Sequence, residues 1–158
     1  CCFVASNNIK YRNDFCKLLS NKYKKVDCGG KCLNNINGLV ENKILFQRKY
    51  KFCIVFENCS NPGYVTEKIL DSYRSNCLPI YWGANNIEID FNPKTFINAY
   101  DFNNLNDLIE YIIKVDNDDD LYKSYFKDNI FSNYWQNIFD DKNDTFFKNI
   151  CKKILNDK

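Results

Sequence analysis

Short apolar runs separated by stretches of helical period recur along this chain, and that alternation constrains its fold more than any other feature. Residues 1–6 form an apolar run that ends in Ser6-Asn7-Asn8 and reads as a strand. Residues 11–21 then place Phe15, Leu18 and Leu19 on one helical face, and residues 24–28 read as a short strand before the Gly29-Gly30 turn. The pattern repeats as a helix over 41–50, a strand over 52–56 and an amphipathic helix over 65–76 that turns Ile69, Leu70 and Tyr73 inward. Strands over 78–82 and 95–99 follow, then helices over 105–115 and 121–128. Apolar strands of about five residues without polar alternation need cover on both faces. The expected fold is therefore α/β, a Rossmann-like parallel sheet with helices on both faces, formed by residues 1–128. Residues 129–158 carry Phe131, Tyr134, Trp135, Ile138 and later Phe146, Phe147, Ile150 and Ile154. They are expected to form a helical tail that packs on this unit or on a further domain.

Composition narrows the chemistry. The 158 residues, 45% of them hydrophobic, supply one core and leave no room for long disorder. A net charge of +2 offers no general attraction for nucleic acid, so any polyanion binding must be local. The absence of histidine removes Ser-His-Asp and Cys-His nucleophile systems, imidazole acid-base catalysis and His-ligated zinc. Carboxylates, lysines, arginines and tyrosines remain. With no methionine and a strand at its first residues, the chain reads as a piece of a longer protein. It contains no run of roughly 18 to 20 apolar residues, so no membrane contact is expected from this segment.

Nine cysteines cannot all pair internally. Cys53 and Cys77 lie in or beside apolar strand patterns and read as small buried hydrophobes of a reducing compartment. Cys28-Gly-Gly-Lys-Cys32 has three intervening residues and no second pair, which does not describe a zinc site. The acidic run 116–120 lacks the Gly and closing Glu of a calcium loop and reads as a solvated separator of two helices. Asn58-Cys59-Ser60 and Asn143-Asp144-Thr145 are formal glycosylation sequons.

The densest polar information is Phe56-Glu-Asn-Cys-Ser-Asn-Pro-Gly-Tyr-Val-Thr-Glu-Lys68, between the carboxyl end of a buried strand and a helix. Ligands of open parallel sheets bind outside such strand ends. Lys68 in a first helical turn faces a positive macrodipole, so either an anion binds there or the ammonium points to solvent or pairs with Asp71 or Asp14. Glu67 is stabilising at a helix start without any function. Glu57 and Asn58 could hold sugar hydroxyls or cap the next turn, and Tyr64 could contact a ligand or pack. Arg12, beyond the first strand, could converge with Lys68 on one diphosphate or remain a solvated helix-start residue.

These residues resemble a known family. Phe56-Glu-Asn, Tyr64-Val-Thr-Glu-Lys68, Leu78-Pro-Ile-Tyr-Trp-Gly83, Asp90-Phe-Asn-Pro93 and Phe96-Ile97, with Ser6-Asn7, Arg12-Asn13, Phe15 and Gly29-Gly30 before them, are similar to the nucleotide-sugar domain of the α-1,3-fucosyltransferases, glycosyltransferase family 10. The resemblance runs from about residue 2 to 125. It implies the carboxy-terminal half of a GT-B glycosyltransferase that takes fucose from GDP-fucose, with inversion, to a hydroxyl of N-acetylglucosamine or glucose in an oligosaccharide or glycoconjugate acceptor. By position it implies Arg12 and Lys68 on the diphosphate, Asn58 and Tyr64 on ribose or phosphate, and Glu67 on the fucose ring or its developing charge. Glu57 and the turn 27–31 would shape the nucleoside pocket. No metal or other cofactor is implied, and the general base belongs to an amino-terminal acceptor domain of the same protein. A non-catalytic nucleotide-sugar or glycan-binding module, and a transferase using another nucleotide sugar, are the alternatives. The strand-embedded cysteines and the sequon at Asn58 favour a cytoplasmic setting, against a luminal Golgi one if an amino-terminal anchor precedes this segment.

Overall fold

The computed structural model describes residues 1–140, so the later part of the expected tail, residues 141–158, lies outside the described residues. Five parallel strands form one sheet: β1 (Cys2–Phe3), β2 (Asp27–Cys28), β3 (Phe52–Phe56), β4 (Leu78–Trp82) and β5 (Ile97–Asn98). The helices are α1 (Lys10–Lys22), α2 (Lys43–Gln47), α3 (Glu67–Arg74), α4 (Leu105–Asn117), α5 (Asp119–Ser124) and α6 (Asn133–Asp140). The Rossmann-like α/β expectation holds. Strands β3 and β4 occupy the residues expected of them, because both are buried along nearly their whole length and the apolar run has sharp ends.

The edge elements are shorter than their patterns suggest. Strand β5 keeps two residues because the turns Pro93–Thr95 and Ala99–Asp101 take up the rest of the expected run. Helix α2 is five residues long where ten were expected. In α3 Ile69 and Ser72 are buried and Tyr73 packs against the core layer as expected, while Leu70 is exposed.

Side chains alternate along each central strand. Phe52, Ile54, Phe56, Leu78 and Ile80 face a layer made by Phe15 and Leu19 of α1 and by Leu108, Ile109, Ile112 and Val115 of α4. Cys53, Val55 and Tyr81 face the opposite layer with Ile69, Ile87, Phe91 and Phe96. Each layer removes about 1.5 to 3 kcal/mol of apolar hydration per large side chain, which is why the all-apolar strands lie at the centre.

The strand order β2-β1-β3-β4-β5 reverses direction between β1 and β3. At such a switch point the two following connections leave in opposite directions and open a crevice at the carboxyl rim. One close approach shapes that rim: a Cβ on Gly30 would come within 2.0 Å of the Ala5 carbonyl oxygen. Gly30→Ala is expected to be severely destabilising, visible as a large fall in the unfolding midpoint, since the obstacle is backbone that cannot rotate away.

Asp116, in the run expected to be solvated, instead ties the opposite end of the sheet together. Burial would raise its pKa, but Lys24, Tyr23 and Lys51 donate to it and win, bringing it down to about 2. A carboxylate whose folded pKa is depressed adds stability above its ordinary value near 3.8, lost as pH falls toward 2. Asp116→Asn is expected to cost on the order of 1 kcal/mol at pH 7 in denaturant melts. The gap should narrow as pH falls from about 4 toward 2; a gap that does not change with pH contradicts this role.

Candidate functional site

The crevice at the switch point is built from three short segments. They are the loop after β1, the first turn of α1, and the connection from β3 to α3. Arg12 joins all three. Its guanidinium donates from Nη2 to the Asn7 carbonyl at 2.8 Å, and from Nη1 to the Asn58 Oδ1 at 2.7 Å and the Phe56 carbonyl at 3.3 Å. The residue is only 2% exposed, its Nε has no partner, and among the described residues it makes no ion pair. Burial pulls its pKa below the usual arginine value, although a guanidinium stays charged through any physiological range. A buried cation whose acceptors are all neutral is costly unless a counter-ion arrives.

Glu57 follows the last residue of β3, and the paired register sets it beside Gly83, with its N–H on the Trp82 carbonyl at 2.7 Å. The carboxylate is 0% exposed. It accepts from the Thr66 N–H at 3.0 Å, from the Thr66 hydroxyl at 2.8 and 2.9 Å, and from Lys68 Nζ at 2.7 Å. The Lys68 ammonium also donates to Thr66 Oγ1 at 2.8 Å. Lys68 therefore pairs with neither Asp71, which holds Lys43, nor Asp14, which holds Lys10. A Cβ on Gly83 would lie 2.6 Å from Glu57 Cγ and 2.6 Å from the Tyr81 hydroxyl. Gly83→Ala is expected to displace the carboxylate and lower stability by about 1 to 3 kcal/mol, read by denaturant titration.

Helix capping separates this rim from helices α2, α4 and α5. Asn42, Asn104 and Asp118 cap α2, α4 and α5 with side-chain bonds. Helices α1 and α3, which follow the strands on either side of the switch point, have none. Thr66 stands at the cap position of α3, but its hydroxyl is diverted to Glu57 and Lys68. The free N–H groups and positive dipole ends of both helices are thus left to an anion.

The loop between β3 and α3 turns at Gly63, with φ of 73°, and is held by bonds from the Tyr64 N–H to Asn61 and from the Gly63 N–H to Asn86. Tyr64 is half-buried and lies near Arg12. Glu67, the first residue of α3, is exposed. It borders a cleft of about 490 Å³ with Val65, Leu70, Asp90, Phe91 and Trp135. On the other flank an aromatic row runs from Tyr11 to Trp82, with rings 4.5 Å apart, and on to Tyr100 at 6.4 Å.

Sequence reasoning located the segment and its cations, and the structure joins Arg12 to Asn58 and Lys68 to Glu57. Glu57, expected either to shape the pocket or to cap the next turn, is fully buried and holds Lys68 and the start of α3. The structure also moves Asp27 out of the turn, since that residue lies in β2 with its carboxylate on the Tyr50 hydroxyl at 3.0 Å. Three contributors were missed: Thr66, Asn7 through its carbonyl, and the aromatic row. Only Thr66 carried a local signal, and it pointed to a helix cap. Among the described residues no group of three or more Cys, Asp or Glu could hold a metal ion.

With this geometry in place, three comparisons bear on the site. The family model described as glycosyltransferase family 10 (fucosyltransferase) C-term matches residues 1–158. An α-(1,3)-fucosyltransferase of Helicobacter pylori is 41% identical over 155 residues, covering 97% of this chain and 31% of that protein. α-(1,3)-Fucosyltransferase B of Drosophila melanogaster is 35% identical over 128 residues, covering 72% of this chain and 28% of that one. A crystal structure of an α1,3-fucosyltransferase with GDP-fucose superposes with a TM-score of 0.79 at 42% identity, over 82% of this chain and 38% of that one. The chain spans about a third of the length of these relatives.

Proposed function

Because the chain belongs to glycosyltransferase family 10, the fucosyltransferases, we propose that its switch-point crevice is the donor site of a fucosyltransferase and takes GDP-fucose. The observation that carries this reading is Arg12: a buried guanidinium bonded only to neutral acceptors, between two uncapped helix starts. Arg12 and Lys68 neutralise the diphosphate, while Asn58 and Tyr64 reach ribose or phosphate. Glu67, exposed at the start of α3, contacts the fucose ring and stabilises positive charge as it develops at the anomeric carbon. Glu57 acts at one remove, by aiming Lys68.

Transfer with inversion places negative charge on the departing GDP and positive charge on the fucose. Fixed cations and helix dipoles aimed at the leaving phosphate stabilise that transition state without a metal ion. The acceptor hydroxyl, on N-acetylglucosamine or glucose, gives its proton to a carboxylate of an amino-terminal acceptor domain that completes the GT-B enzyme. The linkage proposed is α-1,3. A reducing, cytoplasmic setting agrees with six buried thiols and with Asn58, whose amide oxygen is already engaged by Arg12. Asn58 is expected to be unglycosylated in the native protein by peptide mass mapping, and a glycan there refutes this placement.

The test is transfer by the full-length protein. With GDP-fucose and N-acetyllactosamine, in the presence of EDTA, it should yield a fucoside of inverted anomeric configuration at O3, read by NMR. A product with retained configuration, or transfer from UDP-sugars alone, overturns the proposal.

A further inference from the structure

The eight described cysteines fall into distinct settings. Cys2, Cys53 and Cys77 are 0%, 1% and 0% exposed in the core, where the Gln47 amide donates to Cys53 Sγ at 2.8 Å. Cys1 and Cys59 are half-exposed and lie at separate places. Cys16 and Cys28 are each 2% exposed and part of the core, but unlike that first group they border a surface cleft. Their sulfurs are 3.4 Å apart, and both line a surface cleft of about 370 Å³ that also includes Lys17, Ser20, Asn21 and Asn35. The partners come from different elements, α1 and β2, so the contact is a tertiary one.

We propose that Cys16 and Cys28 form a thiol–disulfide exchange site, which a small anionic disulfide of the glutathione type converts into an internal Cys16–Cys28 disulfide. The sulfurs need to approach only from 3.4 Å to the roughly 2.05 Å of a covalent bond. Cys28 is held for this by its neighbours. Its N–H donates to Asn35 Oδ1 at 2.8 Å, while the Asn35 amide donates to the Val26 carbonyl at 2.9 Å. Lys17 and the polar cleft wall suit an anionic reagent.

Cys28 is the attacking sulfur. The hydrogen bond from Cys16 lowers its pKa, Lys25 adds to that, and burial and Asp27 oppose it, whereas the Cys16 thiol is raised. The Cys28 thiolate attacks one sulfur of RSSR, the external S–S bond breaks, and RS⁻ leaves and takes up the proton that Cys28 released. Cys16 then loses its proton as its sulfur attacks Cys28 in the mixed disulfide, and the second RS⁻ leaves with that proton. Two protein thiols are oxidised by two electrons, and RSSR is reduced to two RSH.

The bond would clamp α1 to the rim on the Arg12 side of the crevice. Cys16 lies one turn beyond Arg12, and Cys28 leads into Gly29-Gly30 and Cys32, whose N–H donates to the Ala5 carbonyl at 2.9 Å. Because the cross-link removes freedom from the unfolded chain and needs little movement in the folded one, the oxidised form is expected to be the more stable one, with an unfolding midpoint higher by roughly 5 to 10 °C.

The experiment incubates the folded protein with oxidised glutathione, blocks remaining thiols under denaturing conditions and maps peptides by mass. The expected result is a linked pair of tryptic peptides, residues 13–17 with residues 26–31, lighter by two hydrogens than the sum of the two. The rise in midpoint should accompany it and vanish in Cys16→Ser and Cys28→Ser, with Cys59→Ser as the unaffected control. Recovery of both thiols in blocked form, glutathione held on Cys28 without the internal link, or an equal rise in Cys16→Ser overturns the proposal. The peptide readout is made on the wild-type chain, so it stands even if a variant fails to fold.

Discussion

Arg12→Ala is expected to weaken GDP binding strongly and to destabilise the chain at the same time. The guanidinium makes three hydrogen bonds that join the loop after β1 to the end of β3. Losing them strands the acceptors of Asn7, Phe56 and Asn58, which costs about 2 to 3 kcal/mol of stability. Loss of a charge-assisted contact to the diphosphate adds about 1.5 to 3 kcal/mol in affinity, a decrease of roughly 10- to 150-fold. Arg12→Lys separates the two effects. It keeps the charge but lacks a planar fork that can serve three acceptors, so it should recover part of the affinity and little of the stability. Equal GDP affinity in wild type and both variants, measured by calorimetry on folded protein, contradicts a diphosphate role.

The second large effect is expected at Lys68. Removing it leaves the fully buried Glu57 carboxylate without its cation, and breaking such a pair typically costs about 3 to 5 kcal/mol. Lys68 is one-fifth exposed and retains some hydration. The cost of Glu57→Gln should therefore be smaller, about 1 to 2 kcal/mol, because the amide still accepts from Thr66. In the double variant Lys68→Met with Glu57→Gln no buried charge is left behind, so stability should return to near that of Glu57→Gln alone. GDP binding should not return. Recovery of both stability and binding in the double variant would mean that Lys68 only supports the fold.

The fold was legible because its central strands are unambiguous. Phe52–Phe56 and Leu78–Trp82 are continuously apolar, and only a sheet covered on both faces buries them. Elements held by few residues were harder to bound. The strand expected over 95–99 extends beyond the two residues that make ladder bonds, since the flanking segments form tight turns that no hydrophobic period encodes. At the site, Arg12 and Lys68 were legible as cations near strand ends, but their partners were not. Which acceptor takes the Lys68 ammonium depends on how the β3–α3 loop returns toward the sheet. That return makes Glu57 the partner rather than the nearer helix residue Asp71. The burial of Glu57 follows from its pairing position beside Gly83, a relation across strands that one strand's sequence does not contain. The Cys16–Cys28 contact has the same origin, in elements whose packing sets two distant thiols together.

Titration calorimetry of this chain with GDP, GDP-fucose and UDP, each with and without EDTA, tests the central claim most directly. The account predicts binding of both guanine nucleotides that EDTA leaves unchanged, weaker binding of UDP, and at least tenfold weaker binding of GDP in Arg12→Ala. Binding that depends on added metal, or GDP binding of equal strength in wild type and Arg12→Ala, would contradict it.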